Sequence, residues 1–278
     1  MAKYKAVNSF ISWVGGKSRL RARITPQIPS HACYCEPFMG AAWVLFGKDP
    51  KTSRLEVLND VNGDLVNLFI CVKYHTREIL RQIDLLLPSR KIFQLYLNNR
   101  GITDIQRAAV FYYIIRNAFG AKVDTPSFGR SKSQKPQFNP DTLDETIRSA
   151  SRRLSRVIIE NLDFERCIRM YDAPATFFFC DPPYFELSTP YAAEFGRAEH
   201  ERLAELLKDA RGSYLLTVND HPAIRELYAG ANIVQVESKY TITQGDPTAA
   251  PQLFISNYDL PEPITPPSKS RKTRRKAA

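Results

Sequence analysis

The chain has 278 residues, 44% of them hydrophobic and 11% aromatic, enough to bury a sizeable core and to exclude a disordered protein. Its net charge of +10 suggests a polyanionic partner, but six of those charges sit without an acid in the tail Lys269–Ala278, and the remaining +4 decides nothing about nucleic acid. Five scattered cysteines, no secretory signal and no apolar run long enough to span a bilayer predict a reduced, cytoplasmic protein with free thiols and no membrane partner.

Val7–Val14 mixes β-branched and aromatic residues and breaks at Gly15-Gly16-Lys17, and a helix is expected from Ser18 to the Pro26/Pro29 punctuation. A short strand follows over His31–Glu36, then Pro37-Phe38-Met39-Gly40, a helical Ala41–Phe46, a strand over Arg54–Leu58 and a helix over Asp64–Tyr74. Strand, helix and strand within this span make a βαβ unit and therefore a parallel sheet. From His75 to about Tyr113 the pattern is helical. Gly120–Pro140 is polar and basic and reads as a loop or short hairpin. Leu143–Leu154 returns to a helix, Val157–Ile159 restarts the strands, and Phe177–Cys180 is a buried strand by composition. A helix over Ala198–Ala210 and strands at Tyr214–Val218, Ile233–Val236 and Gln252–Ser256 complete the fold before a flexible basic tail from Pro261.

Three constellations carry chemistry. Asp181-Pro182-Pro183-Tyr184 ends a buried strand, where open α/β sheets bind their ligands. An adenine amino nitrogen is a poor nucleophile because its lone pair is delocalised into the ring. A carboxylate and a backbone carbonyl that accept its two N–H bonds localise that lone pair. The two prolines remove competing N–H donors, and Tyr184 offers a face for stacking an extruded base. An ordinary strand-ending turn with a helix-capping aspartate is the plainer reading of the same four residues. Second, Gly40 and Asp60 are 20 residues apart, the spacing at which an acid meets a nucleotide ribose in a βαβ fold. The glycines are too few for a pyrophosphate loop, which suits a nucleoside without phosphates. Third, Trp13-Val14-Gly15-Gly16-Lys17 lacks Walker spacing, so Lys17 suits the carboxylate of an amino-acid-like ligand, with Trp13 closing over it. Cys33-x-Cys35 lacks zinc spacing and the four histidines are far apart, so no metal site is expected.

Together with Glu36-Pro37-Phe38-x-Gly40, Asn59-Asp60-x-Asn62-x-Asp64-Leu65 and Asn161-x-Asp163-Phe164, these motifs resemble the Dam-type DNA adenine-N6 methyltransferases. The resemblance runs from about Phe10 to Tyr258, with smaller echoes at Phe195, at Glu199-His200-x-x-Leu203 and at Thr217-x-Asn219-Asp220. It implies a Rossmann-like S-adenosylmethionine-dependent methyltransferase fold, α/β with a mostly parallel sheet, and a bacterial or phage-encoded enzyme acting on double-stranded DNA as a monomer. It also implies residues 1–74 and 143–260 as the two parts of a catalytic and cofactor-binding domain, 75–142 as a mainly helical target-recognition insertion, and 261–278 as a basic tail. Trp13, Gly15, Lys17, Glu36, Pro37, Phe38, Gly40, Asp60, Asp163, Phe164 and Asp181 become cofactor positions, and Asp181, Pro182, Pro183 and Tyr184 the catalytic ones. Arg116, Asn117, Arg130 and Lys132 become candidate DNA contacts. The sequence departs from the family at Gly40-Ala41-Ala42, where Gly-x-Gly or Gly-x-Ser is usual, and in a shorter recognition segment than enzymes reading GATC carry. Asp181 favours adenine over cytosine N4; RNA adenine stays open, and intact Asp60, Asp181 and Tyr184 oppose an inactive DNA-binding regulator.

Overall fold

The computed structural model describes residues 4–118, 127–129, 140–185, 195–239 and 249–261. Its strands are β1 (Cys33–Glu36), β2 (Leu55–Asn59), β3 (Val157–Glu160), β4 (Thr176–Cys180), β5 (Ser213–Asn219), β6 (Asn232–Lys239) and β7 (Ala249–Ser256). They form one sheet in the order β3-β2-β1-β4-β5-β7-β6. The first five pair in parallel, whereas β7 runs antiparallel to both β5 and β6. The expected mostly parallel α/β sheet is therefore present, and the antiparallel edge is an addition to it.

Side-chain alternation explains why the sheet needs cover on both faces. Phe177 and Phe179 enter one hydrophobic cluster with Tyr34, Leu58 and Phe254, while Phe178 and Cys180 enter the other with Cys35, Val57 and Leu216. Helices α1 (Arg21–Ile24), α2 (Trp43–Gly47), α3 (Gly63–Tyr74), α4 (Thr76–Asp84), α5 (Arg90–Asn98), α6 (Asp104–Asn117) and α7 (Pro140–Leu154) contribute to the first cluster. Helices α8 (Phe164–Tyr171), α9 (Arg197–Lys208) and α10 (Pro222–Leu227) cover the second. The central helix α6 buries Phe111, Tyr112, Tyr113, Ile114 and Ile115, and Phe10 stacks between Phe69 of α3 and Tyr112 at ring distances of 4.9 and 6.4 Å.

Local chemistry sets most boundaries. Asn62 and Ser89 cap α3 and α5 by accepting from Leu65 and Ile92 N–H, and Thr103 with Gln106 forms a capping box on α6. The helix expected from Ser18 is reduced to the single turn of α1, because Pro26 halts it and the Arg21 side chain reaches back to the Val7 carbonyl at 3.0 Å. Gly120–Pro140, expected as a loop or hairpin, lies largely outside the described residues; what is described there is an antiparallel bridge between Ala118 and Phe128. The basic tail also lies outside them. All five cysteines are unpaired thiols. No described helix is long and apolar enough to cross a membrane.

Candidate active site

The chain runs from β1 outward to β2 and β3, then returns to place β4 on the other side of β1. The order in which strands are added thus reverses between β1 and β4, and the carboxyl ends of those parallel strands open a crevice there, the general ligand site of such sheets. A cavity of about 1140 Å³ occupies it, lined by Trp13–Lys17, Glu36–Val44, Asp60–Asn62, Leu162–Phe164 and Asp181–Tyr184, with Phe195, Arg202 and Asn219 among the rest. Ligand pockets for one small molecule run to roughly 1,000 Å³, so this one has room for a nucleoside-sized ligand and a further ring. All eleven residues read from the sequence as cofactor positions line it, and so do the four of the tetrapeptide.

Each carboxylate at this edge is held differently. Asp60 follows β2 and accepts from Gly40 N–H at 3.1 Å and Asn62 N–H at 3.0 Å, while Asn62 itself caps α3. Asp60 is therefore not the helix cap, and burial lifts its carboxyl to about 6 despite those two donors. Gly40 meets this geometry with φ +44°, and a Cβ there would lie 3.0 Å from the Trp13 ring. Ala42, two residues on, also adopts the left-handed region, at φ 51°. Glu36 is buried and accepts from Tyr34 O–H at 2.7 Å and Leu45 N–H at 2.8 Å; desolvation still raises its carboxyl to about 8.

Asp181 closes the pocket between β4 and β5. It accepts from Lys17 Nζ, 2.6 Å from Oδ1 and 2.7 Å from Oδ2, and from Thr217 O–H at 2.8 Å. Burial raises its carboxyl, and Lys17 and Thr217 oppose that shift. Lys17 also donates to the Gly15 carbonyl at 2.9 Å, where Gly15 turns at φ +78°, and its ammonium lies 5.1 Å from the Tyr184 ring centre. The cation expected to face a ligand carboxylate is thus already committed to Asp181.

At the far end of the cavity, Phe38, Phe164 and Phe195 form an aromatic wall with ring distances of 5.4 to 5.5 Å. Asp163 caps α8 through Glu165 N–H and pairs with Arg202 of α9 at 3.0 Å, while the Arg202 guanidinium covers the Phe164 ring at 4.6 Å. Arg202 carries no motif signature and went unread in the sequence; a cation one helical turn from Glu199 is ordinary there.

Of the candidate DNA contacts, the two described ones, Arg116 and Asn117, do not line this cavity. Asn117 is buried, donates to the Tyr113 carbonyl at 2.9 Å, and its own carbonyl accepts from Gly129 N–H at 2.8 Å. Arg116 is in the last turn of α6, half-buried. Arg130 and Lys132 lie outside the described residues. Among the described residues no group of His, Cys, Asp or Glu is arranged to hold a metal ion.

An open sheet reversed at β1, a nucleoside-sized crevice there and an Asp-Pro-Pro-Tyr strand exit define a Rossmann-like methyltransferase. Residues 13–242 match the family model of D12 class N6 adenine-specific DNA methyltransferases, and the chain belongs to that family. The DNA adenine methylase of Haemophilus influenzae is 28% identical over 84% of this chain and 87% of its own. That of Serratia marcescens is 28% identical over 86% and 94%, and the Type II methyltransferase M.CviBI of Paramecium bursaria Chlorella virus NC1A 27% over 89% and 98%. The substrate is accordingly DNA, the modified atom N6 of adenine, and a methyl donor is required.

Proposed function

We propose that the donor is S-adenosylmethionine, bound along the β1–β2 edge, and that the acceptor is an adenine extruded from double-stranded DNA into the Asp181 end of the same cavity. The observation that carries this reading is the pair of carboxylates, Asp60 after β2 and Asp181 after β4, that flank the end of β1 in one cavity. Asp60 is bonded to two backbone N–H groups and keeps lone pairs for two ribose hydroxyls. The aromatic wall of Phe38 and Phe164 beside Asp163 suits a purine carrying an amino group, and Glu36 and Trp13 line the interior where an amino-acid moiety would end. When bound, the cofactor supplies an electrophilic methyl on a sulfonium.

What the chain itself does is orient. Asp181 accepts one amino hydrogen of the target and the Pro182 carbonyl the other, which localises the nitrogen lone pair. Tyr184 stacks on the base. Lys17 and Thr217 hold the Asp181 carboxylate in one rotamer, and both oppose the upward shift that burial imposes on it. No covalent intermediate is needed, and Cys180 is buried in strand packing with its thiol held above the normal range. Arg116, Arg130 and Lys132 remain the proposed DNA contacts, with a single enzyme molecule at each target adenine.

The test is incubation with labelled S-adenosylmethionine and, in parallel, unmethylated duplex DNA or RNA, followed by nucleoside analysis. Label in N6-methyladenine, reduced on the order of 10²- to 10³-fold in Asp181→Ala, supports the reading. Label in RNA alone, or none in any DNA, sinks it.

A further inference from the structure

The tetrapeptide is anchored beyond Asp181, through two residues, Asn219 and His200, to which the reaction as described gives no role. Asn219, the last residue of β5, engages both backbone groups of Phe185: its Oδ1 accepts from Phe185 N–H at 2.9 Å and its Nδ2 donates to Phe185 C=O at 3.0 Å. An amide that reads both backbone groups of one residue fixes that residue's position and its orientation together. The Phe185 ring is buried and wedged between two imidazoles, His200 at 5.3 Å edge-on and His221 at 4.7 Å. His200 of α9 is itself buried, with the Phe195 ring edge-on at 4.9 Å, and its imidazole faces the Pro183 carbonyl. Burial pushes its imidazole down to about 4, so the ring is neutral through the physiological range. Tyr184 therefore sits between the Pro183 carbonyl, which His200 faces, and a peptide unit that Asn219 fixes.

We propose that Asn219 and His200 are positioning residues for methyl transfer, clamping the backbone on both sides of Tyr184 so that its ring meets the target adenine at a set height above Asp181. The inference rests on the reading of Tyr184 as the base-stacking platform. Neither residue needs to touch the base, because the Asn219 amide is spent on Phe185 and His200 lies beneath the loop among Phe185 and Phe195. Such a clamp acts on the reacting geometry and not on cofactor or DNA affinity, and a displacement of about 1 Å at the reacting centre lowers rate on the order of a hundredfold.

The experiment is steady-state and single-turnover methylation of unmethylated genomic DNA by Asn219→Ala, His200→Leu, the double variant and Tyr184→Ala, with thermal melts of each. Asn219→Ala and His200→Leu are expected to lower kcat roughly 10- to 100-fold with KM for S-adenosylmethionine and for DNA within about twofold of wild type. Because both act on one loop, the double variant is expected to lose no more than the worse single one. Asn219→Asp, which keeps the acceptor for Phe185 N–H and loses the donor to its carbonyl, falls between Asn219→Ala and wild type and guards against a folding defect in the alanine variant. Unchanged kcat in Asn219→Ala and His200→Leu alongside a lost kcat in Tyr184→Ala overturns the clamp and leaves the site reading standing. So does a parallel fall of kcat, both affinities and Tm, which marks a purely structural role. Wild-type kcat in Tyr184→Ala overturns the site reading itself.

Discussion

Glu56 and Asp60 lie four residues apart at opposite ends of β2, and the fold treats the two carboxylates in opposite ways. Glu56 is buried and saturated with charge: Lys48 Nζ reaches it at 2.8 Å, and Arg153 of α7 grips both oxygens at 2.6 and 2.7 Å. Arg153 continues to the Leu45 carbonyl at 2.9 Å, tying α2 and α7 to the sheet. Asp60 receives two backbone N–H bonds and its carboxyl is raised. One end of the strand spends its acid on stability. The other keeps an acid short of partners, facing a cavity, which is how a binding site differs from a brace.

The largest expected effect tests the brace. Glu56→Gln leaves two buried cations facing a neutral amide and should destabilise by about 3–5 kcal/mol, lowering Tm by roughly 6–20 °C, while folded protein keeps its cofactor affinity. A melt within a degree or two of wild type would break the contrast from that side. Next, Asp60→Ala should weaken S-adenosylmethionine binding by about 2–3 kcal/mol, or roughly 30- to 150-fold by calorimetry, with little change in Tm.

The third effect concerns pH. Glu36 keeps its proton to about pH 8 in the fold, against an ordinary value of 4.5. The folded chain thus binds an extra proton between those values. Stability from that proton is complete below about 4.5 and lost as pH rises through 8. Unfolding free energy should fall by up to about 1.4 kcal/mol per pH unit across the window, and Glu36→Gln should flatten that slope. An identical slope in the variant would remove Glu36 from the set of stressed acids at the site. The smallest effect is at Ala42, whose φ of 51° is strained for any residue with a Cβ. Ala42→Gly should add about 0.5–1 kcal/mol; a lower Tm would show that packing of the buried methyl outweighs the strain.

Much of the sheet was legible because its strands carry strong composition and abrupt ends. Phe177–Cys180 is apolar on both faces and stops at Asp181-Pro182, and every expected strand is found within a few residues. Asp60 was legible through its spacing from Gly40. Short helices were not: α8 and α10 span eight and six residues, too little periodicity to stand out from loop. Nor was the reversed β7, since residue composition does not encode strand direction. Lys17 shows a further limit. Its place after a glycine turn pointed to the site, but its partner Asp181 is 164 residues further along the chain and reaches it only because β4 lies beside β1.

The most direct test of the contrast along β2 is one measurement, the rise in Tm on adding saturating S-adenosylmethionine, made on wild type, Glu56→Gln and Asp60→Ala. A ligand that binds only the folded state raises stability in proportion to the logarithm of its concentration over Kd. The account predicts a lowered starting Tm with an intact shift for Glu56→Gln, and a near-normal starting Tm with most of the shift lost for Asp60→Ala. A full cofactor shift in Asp60→Ala, or its loss in Glu56→Gln, would contradict it.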